Sequence, residues 1–110
     1  MNEPVILSAA RTPIGKLQGS LQPLAATQLG SIVVAAAVER AELDPNRIDE
    51  VIMGCVCQPA DSANIARVIA LRSGIPESVT AATVHRNCAS GMEAITTAYE
   101  RMHADHGQLF

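Results

Sequence analysis

The residues best suited to chemistry lie in one run, Thr83-Val84-His85-Arg86-Asn87-Cys88-Ala89-Ser90-Gly91-Met92-Glu93-Ala94-Ile95. A short strand ends, a polar turn follows, and Cys88 is expected to open a helix. There, unpaired N–H groups and the positive end of the helix dipole favour the thiolate over the thiol. The same N–H groups suit the oxyanion that develops when a thioester carbonyl is attacked. Arg86 adds positive charge, and Ala89, Ser90 and Gly91 leave room for a substrate to approach the sulfur. Attack on a thioester exchanges one thioester for another with little change in bond energy. A second substrate then accepts the acyl group, which is covalent catalysis with ping-pong kinetics. The competing reading makes Cys88 a small buried hydrophobe, the commoner role of a lone cysteine at a strand–helix junction. On topology alone that second reading prevails.

Other residues invite a functional reading and resist it. Cys55 and Cys57 flank Val56 at a strand end, but no further ligands stand at metal-site spacing, so a pair of packing cysteines is expected. His103 and His106 have only Asp105 for company and read as a solvated helix end. Arg67 has the reach for the tail of a cofactor-like substrate, and a structural ion pair is the expectation. Gly15 and Gly19 do not make a phosphate loop around Lys16, because the spacing is wrong. Glu93 lies off the Cys88 stripe and reads as a surface residue.

The elements that position these groups follow from hydrophobic spacing. Val5 to Ala10 reads as a buried strand ended by Arg11-Thr12-Pro13. Pro23 suits the first position of a helix from Leu24 to about Ala41, apolar almost all round and therefore expected to be buried. Val51 to Val56 reads as a second buried strand with Gly54 as its weak point. Asp61 or Ser62 suits the cap of a helix from Asn64 to Ser73, closed by Gly74 and Pro76. Val79 to Val84 reads as a third strand. A third helix, from about Cys88 to Met102, carries Cys88, Met92, Ile95, Tyr99 and Met102 on one stripe. The order β-α-β-α-β-α argues for an α/β fold with a mainly parallel sheet. Gln108-Leu109-Phe110 lies where a fourth strand would start.

Composition sets outer limits. The chain has 110 residues, enough for one small domain. Hydrophobic residues make up 48% and aromatics only 2%, so the core must be aliphatic. The net charge of −3 is spread without runs, and no basic cluster suggests nucleic-acid binding. The longest apolar stretch, Ile32 to Val38, is far too short for a membrane span. Met1-Asn2-Glu3-Pro4 has no basic stretch before an apolar run, so no secretory signal is read. Three cysteines with no paired framework make a cytoplasmic, reducing location the expectation.

The residues around Cys88 also carry a resemblance. Asn87-Cys88-Ala89-Ser90-Gly91-Met92, preceded by Thr83-Val84, closely resembles the acyl-enzyme signature of the thiolase family. Ile6-Leu7-Ser8-Ala9-Ala10-Arg11-Thr12-Pro13-Ile14-Gly15 resembles its first strand and turn. Asp49-Glu50-Val51-Ile52-Met53-Gly54 resembles its second strand. Asn64-Ile65-Ala66-Arg67 with Gly74-Ile75-Pro76 resembles its second helix and exit. The motifs fall in order along the whole chain. The resemblance, to acetyl-CoA acetyltransferases and 3-ketoacyl-CoA thiolases, implies an N-terminal portion of that fold in which Cys88 becomes acylated. It implies a coenzyme A thioester as substrate, no separate cofactor, and dimers or tetramers of the full-length protein. Many thiolases have Asn where this chain has His85, a residue that helps shape the site. Family members are several times longer. Their second half supplies an activating histidine and an acid/base cysteine, in segments resembling Gly-His-Pro and Cys-x-Gly-Gly-Gly, that this chain does not contain. Residues 1–110 are thus expected to be an incomplete N-terminal thiolase domain.

The leading reading is therefore a thiolase-type acyltransferase acting on acyl-CoA in fatty-acid β-oxidation or acetoacetyl-CoA formation, inactive as the isolated piece. A condensing enzyme using an acyl-carrier protein is a neighbouring reading, and its cysteine turn is usually built differently. A non-catalytic binding module or unstable fragment is the reading from a different class.

Overall fold

The computed structural model describes residues 3–110; Met1 and Asn2, part of the stretch read for a signal, lie outside it. Its regular elements are α1 (Ala26–Arg40), a short 3-10 turn (Pro45–Arg47), β1 (Glu50–Gly54), α2 (Ile65–Arg72), β2 (Thr80–Val84) and α3 (Ser90–His103). The fold is α/β, as expected. β1 and β2 are parallel and in register from Glu50 opposite Thr80 to Gly54 opposite Val84.

The middle of the chain folds as its residues dictate. Two short runs rich in β-branched residues pair, and α2 crosses between them. Asn64, rather than Asp61 or Ser62, caps α2, its carboxamide oxygen accepting from the Arg67 amide at 3.4 Å. Ser62 is instead buried with its hydroxyl on Asp61. Gly74 leaves the helix at φ +85°, a conformation that strains any residue with a side chain. Ile48, Val51, Ala70, Ile75 and Val79 form the core, with Val34, Val38, Met53, Ala81 and Leu109 against it.

Two expectations change. Residues 5–10 form no strand and pair with none among the described residues, and Val5, Ile6 and Leu7 are exposed. A strand's N–H and C=O groups need a neighbouring edge, and this stretch has none; only the Ala9 carbonyl is tied, by the Arg40 guanidinium at 2.9 Å. The described sheet thus has two strands, not three. Second, α1 starts at Ala26, with Pro23 in the turn before it, and is not buried all round. It packs along one edge: a Cβ on Gly30 would run into Ile69, Arg72 donates to the Thr27 hydroxyl at 2.9 Å, and Ile32 on the other side is exposed. The Met92, Ile95, Tyr99 stripe of α3 faces outward. Its small residues Ala94 and Ala98 lie toward Ile52 of β1, and Arg101 pairs with Glu50 at the start of that strand.

Near the end of the chain, the Leu109 carbonyl accepts from the Asp49 amide at 2.9 Å, on the lead-in to β1. The Asp49 carboxylate in turn accepts from the amides of Gln108 and Leu109 at 2.7 and 3.0 Å. These bonds hold its pKa below the ordinary 3.8.

Candidate active site

β1 and β2 end side by side, and the Cys55 amide donates to the Val84 carbonyl at 3.0 Å. The chain leaving β2 then makes a tight turn. Asn87 sits at its apex with φ +46°, a left-handed conformation that asparagine tolerates better than most residues. Its amide donates to Nδ1 of His85 at 3.0 Å. Its carbonyl accepts from the Ser90 hydroxyl at 2.6 Å and the Ser90 amide at 3.1 Å. The same hydroxyl accepts from the Arg86 amide at 2.9 Å, so Ser90, only 4% exposed, stitches both arms of the turn together. The Ala89 amide closes the turn on the Arg86 carbonyl at 2.9 Å.

Cys88 stands in this turn, exposed, and does not itself open the helix, which begins at Ser90. The reason is local: with Asn87 left-handed and its carbonyl taken by Ser90, the backbone becomes helical only after Ala89. The expected placement near a helix N-terminus is nevertheless met. Among the described residues no backbone carbonyl accepts from the amides of Gly91 and Met92. Exposure also removes the buried-hydrophobe reading of Cys88 in this chain as described.

Beneath the turn lies Gly54. A Cβ there would collide with the Ser90 carbonyl group and come within 2.7 Å of the Gly91 nitrogen. Gly54 is therefore no weak point of β1 but the place where α3's first turn rests on the strand end. The end of β2 is tied to α2 as well. The Thr83 hydroxyl donates to Asn64 at 2.6 Å and accepts from the Ala66 amide at 3.1 Å, while Asn64 donates to the Ala81 carbonyl at 3.0 Å.

Arg86 does not offer free positive charge to Cys88, because it pairs with Glu93 at 3.1 Å. Glu93, expected on the surface, is half-buried. Arg67 is structural as expected, but through carbonyls rather than a carboxylate: it donates to Val79 at 2.8 Å and Glu77 at 2.9 Å. Cys55 is half-buried and Cys57 exposed, so they are not a packing pair; β1 ends before them. His103 lies against Tyr99, ring centroids 4.1 Å apart, and no cluster of three metal-binding side chains occurs among the described residues. The sequence names Ser90, Asn64 and Thr83 without giving them this bracing role. The available signal was a small polar residue beside each strand–helix junction, where buried backbone groups need partners.

The arrangement is an exposed thiol on a hydrogen-bonded turn over a glycine, at the ends of two parallel strands. A family profile described as "Thiolase, N-terminal domain" matches residues 4–110. The chain belongs to the thiolase family. It is 45% identical over 109 residues to a mitochondrial acetyl-CoA acetyltransferase of Xenopus tropicalis, covering 99% of this chain and 26% of that protein. Among solved structures it is similar to the Acat5 thiolase of Ascaris suum, crystallised in complex with coenzyme A. That match has a TM-score of 0.89 and 36% identity over 93% of this chain and 27% of the other. It is also similar to the Bacillus anthracis acetyl-CoA acetyltransferase, with a TM-score of 0.85 and 42% identity over 88% of this chain and 25% of the other. The chain thus spans about a quarter of the length of these thiolases. No helix among its described residues is long and apolar enough to cross a membrane.

Proposed function

We propose that the protein carrying this sequence is an acyltransferase that moves an acyl group between coenzyme A thioesters, with Cys88 as the residue acylated. The observation that carries the proposal is the exposed Cys88 on its braced turn, in a chain of thiolase descent. Cys88 Sγ forms a bond to the thioester carbonyl carbon while the bond from that carbon to the coenzyme A sulfur breaks. Coenzyme A leaves as its thiolate and takes up a proton. The acyl-cysteine then passes its acyl group to a second acceptor. The free amides of Gly91 and Met92 are the local donors for negative charge on the carbonyl oxygen.

The Cys88 proton needs a base that these residues do not offer. His85 Nδ1 is occupied by the Asn87 amide, and His103 ends α3, some 20 Å from its start at 1.5 Å rise per residue. Residues 1–110 alone are therefore proposed to be inactive, the base lying in the longer protein. The outward stripe of α3 and the exposed residues 5–7 fit coverage by that remainder and assembly into dimers or tetramers.

The test is incubation of the full-length protein with acetyl-CoA, acid quench and peptide mass mapping. An acetyl group on Cys88, lost together with acyl transfer in Cys88→Ser, is the expected result. Transfer at near-normal rate by Cys88→Ser would overturn the proposal.

A further inference from the structure

We infer that His85 is a positioning residue for the acylated cysteine, its neutral ring acting as the hydrogen-bond acceptor that holds the Asn87–Cys88 turn, so that protonating the ring releases the turn. This rests on the proposed role of Cys88. The observation is the bond from the Asn87 amide to His85 Nδ1 at 3.0 Å. Nδ1 stands at the same through-bond distance from Cα as the carboxamide oxygen of asparagine. That oxygen commonly accepts from the amide two residues on, closing an Asx turn. His85 makes the same closure with a ring nitrogen.

The bond matters because of what it holds. Asn87 is in the left-handed region, which a side-chain-bearing residue keeps only when its surroundings impose it. Ser90 holds the carbonyl side of Asn87, and His85 holds the amide side. Cys88 follows directly. His85 is itself exposed and contributes nothing to the core, so its bond to the turn is what it supplies. The ring must be neutral with its proton on Nε2, since Nδ1 accepts.

An imidazolium carries N–H on both nitrogens and turns Nδ1 into a donor facing a donor. The charged and titratable groups around it are few. Arg86 in the same turn is paired with Glu93 of α3. Cys55 lies beyond the end of β1, beside Val84, and Cys88 is in the turn. Arg67 of α2 is committed to carbonyls at the opposite end of β2. Among the described residues, no hydrogen bond or ion pair brings a carboxylate other than Glu93 to this turn.

The experiment measures the rate of Cys88 acetylation by acetyl-CoA in the full-length protein, from about pH 5 to 8, in the range where histidine titrates. It compares the natural sequence with His85→Asn and His85→Ala. His85→Asn keeps an acceptor at the same place and cannot be protonated. It is expected to retain most of the neutral-pH rate, while His85→Ala loses about three- to tenfold, the worth of one neutral hydrogen bond. As pH falls, the natural protein should lose a similar factor relative to His85→Asn. Ring ¹⁵N shifts of His85 at neutral pH should show the proton on Nε2. If His85→Ala does not fold, the pH comparison with His85→Asn still decides. The inference is overturned if His85→Asn is as slow as His85→Ala, if the ratio of natural to His85→Asn rates is flat with pH, or if the proton lies on Nδ1. No acetyl group on Cys88 of the natural sequence removes the proposed function, and this role with it; an acetylated Cys88 indifferent to His85 removes this role alone.

Discussion

The turns that follow the two parallel strands differ sharply. After β1 come Cys55 and Cys57, and Cys57, like Cys88, is exposed. The loop holding it is fixed further on, where the Ser62 amide bonds the Pro59 carbonyl and Gln58 accepts from the Ile65 amide. After β2, the backbone on both sides of Cys88 is bonded, through His85, Arg86, Asn87 and the buried Ser90. Exposure makes a thiol accessible in both places. Only the second turn holds it in one position at the start of a helix, and preorganised geometry is what favours covalent catalysis.

The contrast can be broken most severely at Gly54, which ends the first strand and supports the second turn. Gly54→Val should destabilise the protein by about 1–3 kcal/mol through overpacking and should slow acyl transfer by displacing the first turn of α3. Gly91→Ala, in that same turn, meets nothing within 4 Å. It should leave stability unchanged or raise it by up to about 1 kcal/mol, because alanine is the better helix former. Denaturant midpoints of the two variants check the pair, and equal losses would show that the support is not at Gly54.

A smaller effect comes from the stitch itself. Ser90→Ala leaves the Arg86 amide without its acceptor in a part-buried place and should cost about 1 kcal/mol, with Cys88 gaining mobility. Ser62→Ala, which removes the buried serine of the first loop, should cost less, since its hydroxyl bonds only the Asp61 side chain at 3.3 Å. Thermal unfolding of both variants ranks them.

The smallest expected effect lies at the opposite end of β1. The lowered pKa of Asp49 means that its bonds to Gln108 and Leu109 stabilise the fold above the ordinary carboxylate value of 3.8. That contribution is lost as pH falls through the lowered value. Asp49→Ala should therefore melt below the natural protein at neutral pH and match it in strong acid. A difference that persists unchanged in acid would remove Asp49 as the tie.

Much of this was legible in the sequence, for identifiable reasons. β1, α2 and β2 lie within a residue or two of where their β-branched runs and the Gly74-Ile75-Pro76 exit placed them. Cys88 was legible as a candidate because a polar turn separates a strand from a helix. Residues 5–10 were misread because their strand propensity was counted without a neighbouring edge to pair with. The burial of α1 was misread because apolar composition does not say which face finds a partner. Ser90, Gly54 and the Asn64–Thr83 link escaped because each acts on a group distant in sequence or on backbone atoms. Arg67 and Arg86 were assigned by charge alone, and charge does not distinguish a carbonyl partner from a carboxylate.

The central claim is that the turn after β2, and not the one after β1, carries the reactive thiol. Competitive alkylation tests it most directly: the full-length protein is treated with limiting iodoacetamide, with and without acetyl-CoA, and the labelling of Cys55, Cys57 and Cys88 is quantified by peptide mass spectrometry. Cys88 should be labelled far faster than Cys57, which is exposed as well, and acetyl-CoA should protect Cys88 alone. Equal labelling of Cys57 and Cys88 in the folded protein, or protection of neither, would contradict it.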